Sequence, residues 1–224
     1  GTTGLTEGIV FVDVNGGTLS GSIRAANFTK FGAGTLNITG SNNTLNLISG
    51  TSLANFSINE GTVTFANQAA VPTSTSSTQT ARVTIQDTGT LDLVGQNLTI
   101  GGLSGMGRVA NSGAAAVVTV NQNNLSTTFG GAINQSTNSI GLIKAGTGTL
   151  ALTNINNFTG GVTVNAGVII NAAIGASQGA LNLLQLQAGG AGSDLTIAGG
   201  ILGLRGDQPN FDFQENGFDL VTMG

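Results

Sequence analysis

Apolar and polar residues alternate in short runs along this chain. Leu36-Asn37-Ile38, Val63-Thr64-Phe65, Val83-Thr84-Ile85, Leu91-Asp92-Leu93 and Leu98-Thr99-Ile100 follow one rule. So do Val118-Thr119-Val120, Leu150-Ala151-Leu152, Val162-Thr163-Val164 and Leu195-Thr196-Ile197. A period of two with one apolar face predicts short β-strands, and Gly, Asn and Ser between the runs predict turns. Helical spacing is nearly absent. The stretch from Gln178 to Gln187, with leucines at 181, 183 and 186, reads as another strand pair.

The strands recur with a common opening. Gly-Thr-apolar-x-apolar stands at Gly34-Thr35-Leu36, Gly61-Thr62-Val63, Gly89-Thr90-Leu91 and Gly148-Thr149-Leu150, with looser copies at Gly17 and Gly200. The copies are spaced by about 17 to 30 residues, the range of solenoid coils. One turn and strand cannot bury an apolar face alone, but stacked coils bury their faces in one continuous core. At about 20 residues per coil the chain makes roughly 10 coils, a rod on the order of 50 Å at the strand spacing.

Longer pieces also match. Lys30-Phe31-Gly32-Ala33-Gly34-Thr35-Leu36 echoes Lys144-Ala145-Gly146-Thr147-Gly148-Thr149-Leu150, and Ile58-Asn59-Glu60-Gly61 echoes Val164-Asn165-Ala166-Gly167. From Phe129-Gly130-Gly131, through Leu142-Ile143-Lys144, to Asn157-Phe158-Thr159-Gly160-Gly161 and Val168, the chain resembles the autotransporter-associated β-strand repeat. Residues 129–170 carry the best copy, and Phe28 to Phe65 a degenerate one that lacks the Phe-Thr-Gly-Gly step. The resemblance implies an all-β chain, a right-handed parallel β-helix (β-solenoid) with irregular coil lengths. It implies the exported passenger part of a bacterial surface protein, with a structural or adhesive role, and supplies no catalytic residues.

Composition narrows the chemistry. Charged residues make up only 7% of the chain, against 39% hydrophobic, and there is no Cys, His, Trp or Tyr. Thiol, imidazole and Cys/His metal chemistry are therefore absent. The net charge is −4, with only six Lys and Arg in 224 residues. Nucleic-acid binding needs a basic patch, so it is excluded. No apolar run reaches the roughly 20 residues of a membrane helix. No signal peptide is visible, and the chain opens at Gly1 without Met, so it reads as processed or cut from something longer.

Coils are expected over residues 1–204, with 71–80 a polar loop and 205–224 a cap or docking segment. That last segment holds Asp207, Asp212, Glu215 and Asp219 beside Phe211, Phe213 and Phe218. It is the expected assembly or capping surface: its acids match neither an EF-hand nor a Gly-rich nonapeptide calcium repeat. Sugar cleavage needs paired carboxylates across a groove. Asp87 and Asp92, with Arg82 nearby, form the nearest interior pair, and the usual aromatic sugar platforms are missing. Gly146-x-Gly148-x-x-Ala151 fits a dinucleotide fingerprint in letters only, because a strand rather than a helix follows. Sequons at Asn27, Asn37, Asn55, Asn97 and Asn157 read as turn amides that bond along a stack. Phe28, Phe31, Phe56, Phe65, Phe129 and Phe158 are expected inside.

The resulting expectation is a non-catalytic extracellular structural protein of the bacterial surface. It is either a self-assembling filament or sheath subunit, or a stiff segment of a large adhesin. A carbohydrate-binding or polysaccharide-degrading β-helix of tailspike type is the alternative. Copies of itself stacked head to tail, neighbouring coils of a longer chain and surface glycans are the expected partners. No cofactor and no metal are expected.

Overall fold

The computed structural model describes residues 5–45, 54–72, 80–120, 124–135, 137–154, 156–171, 195–204 and 221–223. Within them, every strand pairing is parallel. Parallel neighbours cannot be joined by hairpins, so each strand meets its partner only after the chain has gone once around. The expected β-solenoid is what this connectivity builds.

The pairs form three ladders. The first runs Leu5–Phe11, Arg24–Phe31, Asn55–Phe65, Arg82–Asp92, Gly102–Gly105, Thr127–Phe129, Thr149–Leu152, Val168–Asn171, Ile201–Leu204. A second joins Gly17–Leu19, Thr35–Ile38, the later halves of Asn55–Phe65 and Arg82–Asp92, then Arg108–Ala110 and Ala132–Ile133. The two merge into one sheet because Asn55–Phe65 and Arg82–Asp92 each run through both, with a register shift after Ile58. The third ladder is a separate sheet of Leu98–Thr99, Ala116–Val120, Ile140–Lys144, Val162–Val164, Leu195–Ile197 and Val221–Met223. One 3₁₀ turn, Gln68–Ala70, interrupts the pattern; Asn67 caps it by accepting from the Ala69 N–H.

Coil length varies more than a uniform repeat allows. The step is 20 residues from Leu5 to its neighbour Ala25, and 28 from Phe28 to Phe56. It is 19 from Leu150 to Ile169 and 33 from Ile169 to Leu202. The coil of about 20 residues expected from the repeats is thus too short, and the estimate of ten coils too high. One extra residue lies inside a ladder, where the step from Ile58 to Glu60 faces that from Ile85 to Thr88 and the register shifts.

Alternation decides what is inside. In Asn55–Phe65 the residues Phe56, Ile58, Val63 and Phe65 are buried while their neighbours are not. Stacking repeats this at each level, and the buried side chains form a single apolar cluster from Val12 to Leu195. Phe28 and Phe56, register partners, stack with ring centres 5.0 Å apart, and Phe65 meets Phe56 edge-on at 5.5 Å. Phe129 and Phe158 are fully buried as well. Phe31 departs from expectation: it lies three positions after Phe28, on the other side of the strand, half-exposed and paired with Phe11.

Candidate functional site

The chain has only two lysines, and both are fully buried. Lys144 ends its strand, Lys30 stands one residue before the end of its own, and each precedes the same x-Gly-x-Gly-Thr turn. Parity turns them inward: Lys30 shares the inner face with Phe28, and Lys144 with Leu142. A buried ammonium is tolerated only when its protons are all taken. The Lys30 Nζ donates to the carbonyls of Gly32 (2.5 Å), Gly34 (2.6 Å) and Glu60 (2.7 Å). The Lys144 Nζ donates to those of Ala145 (2.6 Å), Gly146 (2.7 Å) and Ala166 (3.1 Å).

Two of each set belong to the lysine's own turn. The third belongs to the next coil, because Ile58 lies beside Lys30 and Val164 beside Lys144 in the ladders. Each lysine is therefore a staple between coils. Burial pushes Lys144 down to about 8 and lowers Lys30 too, where Glu60 partly opposes the shift. The Glu60 carboxylate also accepts from the Gly32 N–H, closing the Lys30 turn from above.

The glycine after each acceptor completes the motif. Gly61 and Gly167 have φ of +63° and +67°. A side chain at Gly167 would sit 2.3 Å from the Gly148 carbonyl oxygen. The sequence match between 58–61 and 164–167 thus marks the upper half of the staple.

Buried asparagines bracket other corners. The Asn43 amide donates to the carbonyls of Gly40 and Ala70, and its oxygen accepts from the Ile23 N–H. Asn111 donates to Ala114 and Ser139 and accepts from Gly95. Each ties three successive coils. Asn156 accepts from Ile133 and donates to Asn154. The expected sequon asparagines act outside in the same way: Asn27 accepts from the Asn55 N–H, and Asn97 from that of Val117. Asn55 accepts from Arg82 and Thr84, and Asn37 from Thr64.

The other expected sites fare unevenly. Asp87 and Asp92 lie on one strand and do not face each other across a groove. Asp92 accepts from the N–H groups of Val94 and Ser112, which makes it a coil-joining acceptor. Its partner Arg82 is spent on Asn55. After Gly146-x-Gly148 the chain continues as the strand Thr149–Leu152, as expected. Among the described residues no group of three or more acidic or metal-binding side chains gathers. Phe211, Phe213, Phe218, Asp207, Asp212 and Asp219 lie outside the described residues, as do Gln178 to Gln187 and 73–79 of the polar loop. The lysines were missed as structural residues, though the signal was present: in Phe28-x-Lys30 and Leu142-x-Lys144 the lysine takes an inward position.

The end of the stack at Leu5–Phe11 is the other feature of note. That strand closes the first ladder, with a partner on one side only among the described residues. It exposes Ile9 (67%) and Phe11 (72%), and the following turn exposes Val14 (81%). Beside them opens a cleft whose lining includes Val10, Phe11, Val12, Leu19 and Leu36 together with the carboxylate residue Asp13. On the last strand of this ladder among the described residues, Ile201 is exposed by 62%.

Comparison with known families gives one match: residues 142–170 fit the family described as the passenger-associated-transport-repeat. The segment runs from Leu142 through the Lys144 staple and Gly167 to Ile170. No curated protein and no solved structure matches the chain. The repeat is one of passenger-type β-helices, as its motif implied. It marks an extracellular or cell-surface bacterial protein.

Proposed function

We propose that this chain, which carries a passenger-type repeat, is a stiff surface rod that extends by adding coils end to end, copy upon copy, into a filament or sheath. The carrying observation is the apolar open end at Ile9, Phe11 and Val14. Unpaired strand edges template further pairing, and proteins that must stay apart blunt them with charge or proline. Here the edge strand has one acid, Glu7, and that carboxylate accepts from Thr29 on the next coil.

Among the described residues the first and last rungs of the first ladder each expose an apolar residue, so a head-to-tail contact would continue that ladder. Such a contact is heterologous and does not close, which is how filaments grow. Low charge favours it through weak self-repulsion.

Negative-stain microscopy across a concentration series tests the reading. Fibres with a regular axial repeat are expected from the native chain, and none from Phe11→Asp. Monomeric rods at every concentration would sink the filament and leave a shaft segment, whose ends are covered by neighbouring coils of a longer chain.

A further inference from the structure

The turn after Leu5–Phe11 carries a reactive pair. Asn15 is exposed and is followed by Gly16, which has no side chain to crowd its own N–H. Asn-Gly recurs in the chain only at Asn216-Gly217, outside the described residues. The turn is closed by the Gly16 N–H on the Asp13 carbonyl, at 3.0 Å. The Asp13 carboxylate grips Asn15 as well. It accepts from the Asn15 main-chain N–H and from the Asn15 side-chain amide, each at 3.0 Å. Both carboxylate bonds are local and exposed, so the turn belongs to the part of the fold that opens most easily.

This turn also lies at the open end. Asp13, Gly16 and Gly17 line the same cleft as Phe11. Gly34 of the next coil lies against the Asp13 carbonyl on one side. On the other side no described strand follows, since Gly17–Leu19 pairs with Thr35–Ile38 alone.

We infer that Asn15 is a self-modifying site, and that its conversion to an acid closes the open end to further growth. The Gly16 nitrogen gives up its proton to solvent and attacks the Asn15 side-chain carbonyl carbon. The bond from that carbon to Nδ2 breaks, and the nitrogen takes up protons and leaves as ammonia. A succinimide ring remains. Water adds to either ring carbonyl and opens it, which leaves aspartate or isoaspartate. The net exchange is water in and ammonia out, with no change of oxidation state.

Either product puts a carboxylate where an amide donated to Asp13 at 3.0 Å. Like charges so close repel, so the clasp opens and the Asp13 charge is released too. The isoaspartyl form also lengthens the main chain ahead of Gly17–Leu19. New charge then stands beside Phe11 and Val14, and charge is what blunts strand edges in proteins that stay apart. A formed joint would cover the turn and keep it shut, so free ends are converted and joined ends are spared. The control of growth rests on the end contact of the preceding proposal; the chemistry at Asn15 does not.

The test is to age the full chain at mildly alkaline pH and follow peptide masses, ammonia and fibre growth together. Asn15 is expected to change from amide to acid ahead of every other described asparagine, and more slowly in fibres than in free chain. The aged chain and a fresh Asn15→Asp variant, both still folded, should grow about tenfold more slowly or worse, the scale of like charges brought together at an interface. Asn15→Gln, which closes a ring poorly, should grow as well after ageing as before. An Asn15 that stays an amide overturns the inference. So does a converted chain that grows like a fresh one, or conversion that runs equally fast in fibres. Unconverted Asn15 beside growing fibres would sink this site and leave the end contact standing. Conversion in a native chain that never forms fibres would leave the modification standing and sink the end contact with the control built on it.

Discussion

Lys144 reaches out of its own turn to the carbonyl of Ala166 in the next coil, at 3.1 Å. Lys30 repeats the contact with Glu60 at 2.7 Å, in a copy of the motif far earlier in the chain. One side chain thereby satisfies a sharp Gly-rich turn and fastens the coil above it. A repeat with this device needs no disulfide and no metal to hold its corners.

Replacing Lys144 with methionine keeps the stem and removes the ammonium. Three turn carbonyls then lose their donor in a dry interior, where each such loss costs roughly 1–3 kcal/mol before relaxation. The expected destabilisation is about 3 kcal/mol in urea unfolding. Arginine should not restore it, because a planar fork cannot replace a compact three-proton head in the same cage. A Lys144→Met chain as stable as the native one would show that the staple contributes nothing.

Alkaline pH should stabilise this protein. The folded Lys144 titrates near 8, against 10.5 for a free lysine. Between those values the unfolded chain holds a proton that the folded one has released, so stability rises with pH across that window. At about 1.4 kcal/mol per unit the gain is at most roughly 3 kcal/mol by pH 10.5. Lys30 adds in the same direction. The chain has no His, Cys or Tyr to obscure the effect. Melting temperatures that fall steadily from pH 7.5 to 10 would refute it.

The sequence displayed the strands because burial on one face imposes a period of two, and every described ladder uses it. It displayed the staple only as a repeated string. Lys30 and Lys144 stand in line with Phe28 and Leu142, but an ion on an apolar parity makes sense only once three carbonyls converge on it. Those carbonyls come from the backbone, which leaves no letter in the sequence apart from the glycines that let it approach. Phe31 could have been placed outside by the same parity that puts Phe28 inside. Coil lengths were hidden because the short alternating runs look the same whatever separates them, and the extra residue within Arg82–Asp92, where Gln86, Asp87 and Thr88 are all exposed, carries no mark of its own.

Gly167→Ala should cost more than a glycine substitution at an ordinary turn. Its φ of +67° disfavours any side chain, and the new Cβ would lie 2.3 Å from the Gly148 oxygen and 2.6 Å from that of Gly146. Backbone oxygens of the coil below cannot turn aside as a side chain would. A loss of about 2–4 kcal/mol is expected, read as an earlier urea midpoint at unchanged slope. A midpoint equal to that of the native chain would mean the two coils are not held this closely.

Val94 should respond in the opposite sense. It is a β-branched residue at φ 49°, followed by Gly95 at φ 76°, in a turn closed by the Gln96 N–H on the Leu93 carbonyl. Two successive positive φ values define the turn type that favours Asn-Gly, and valine is a poor fit to it. The conformation persists because the Asp92 carboxylate holds the Val94 N–H and the Asn111 oxygen holds that of Gly95. Val94 is exposed, so replacing it removes strain without opening the core. Val94→Asn should therefore raise stability by about 1 kcal/mol. Thermal unfolding of the single variant decides: an unchanged or lower midpoint would mean that the valine makes a contact worth its strain.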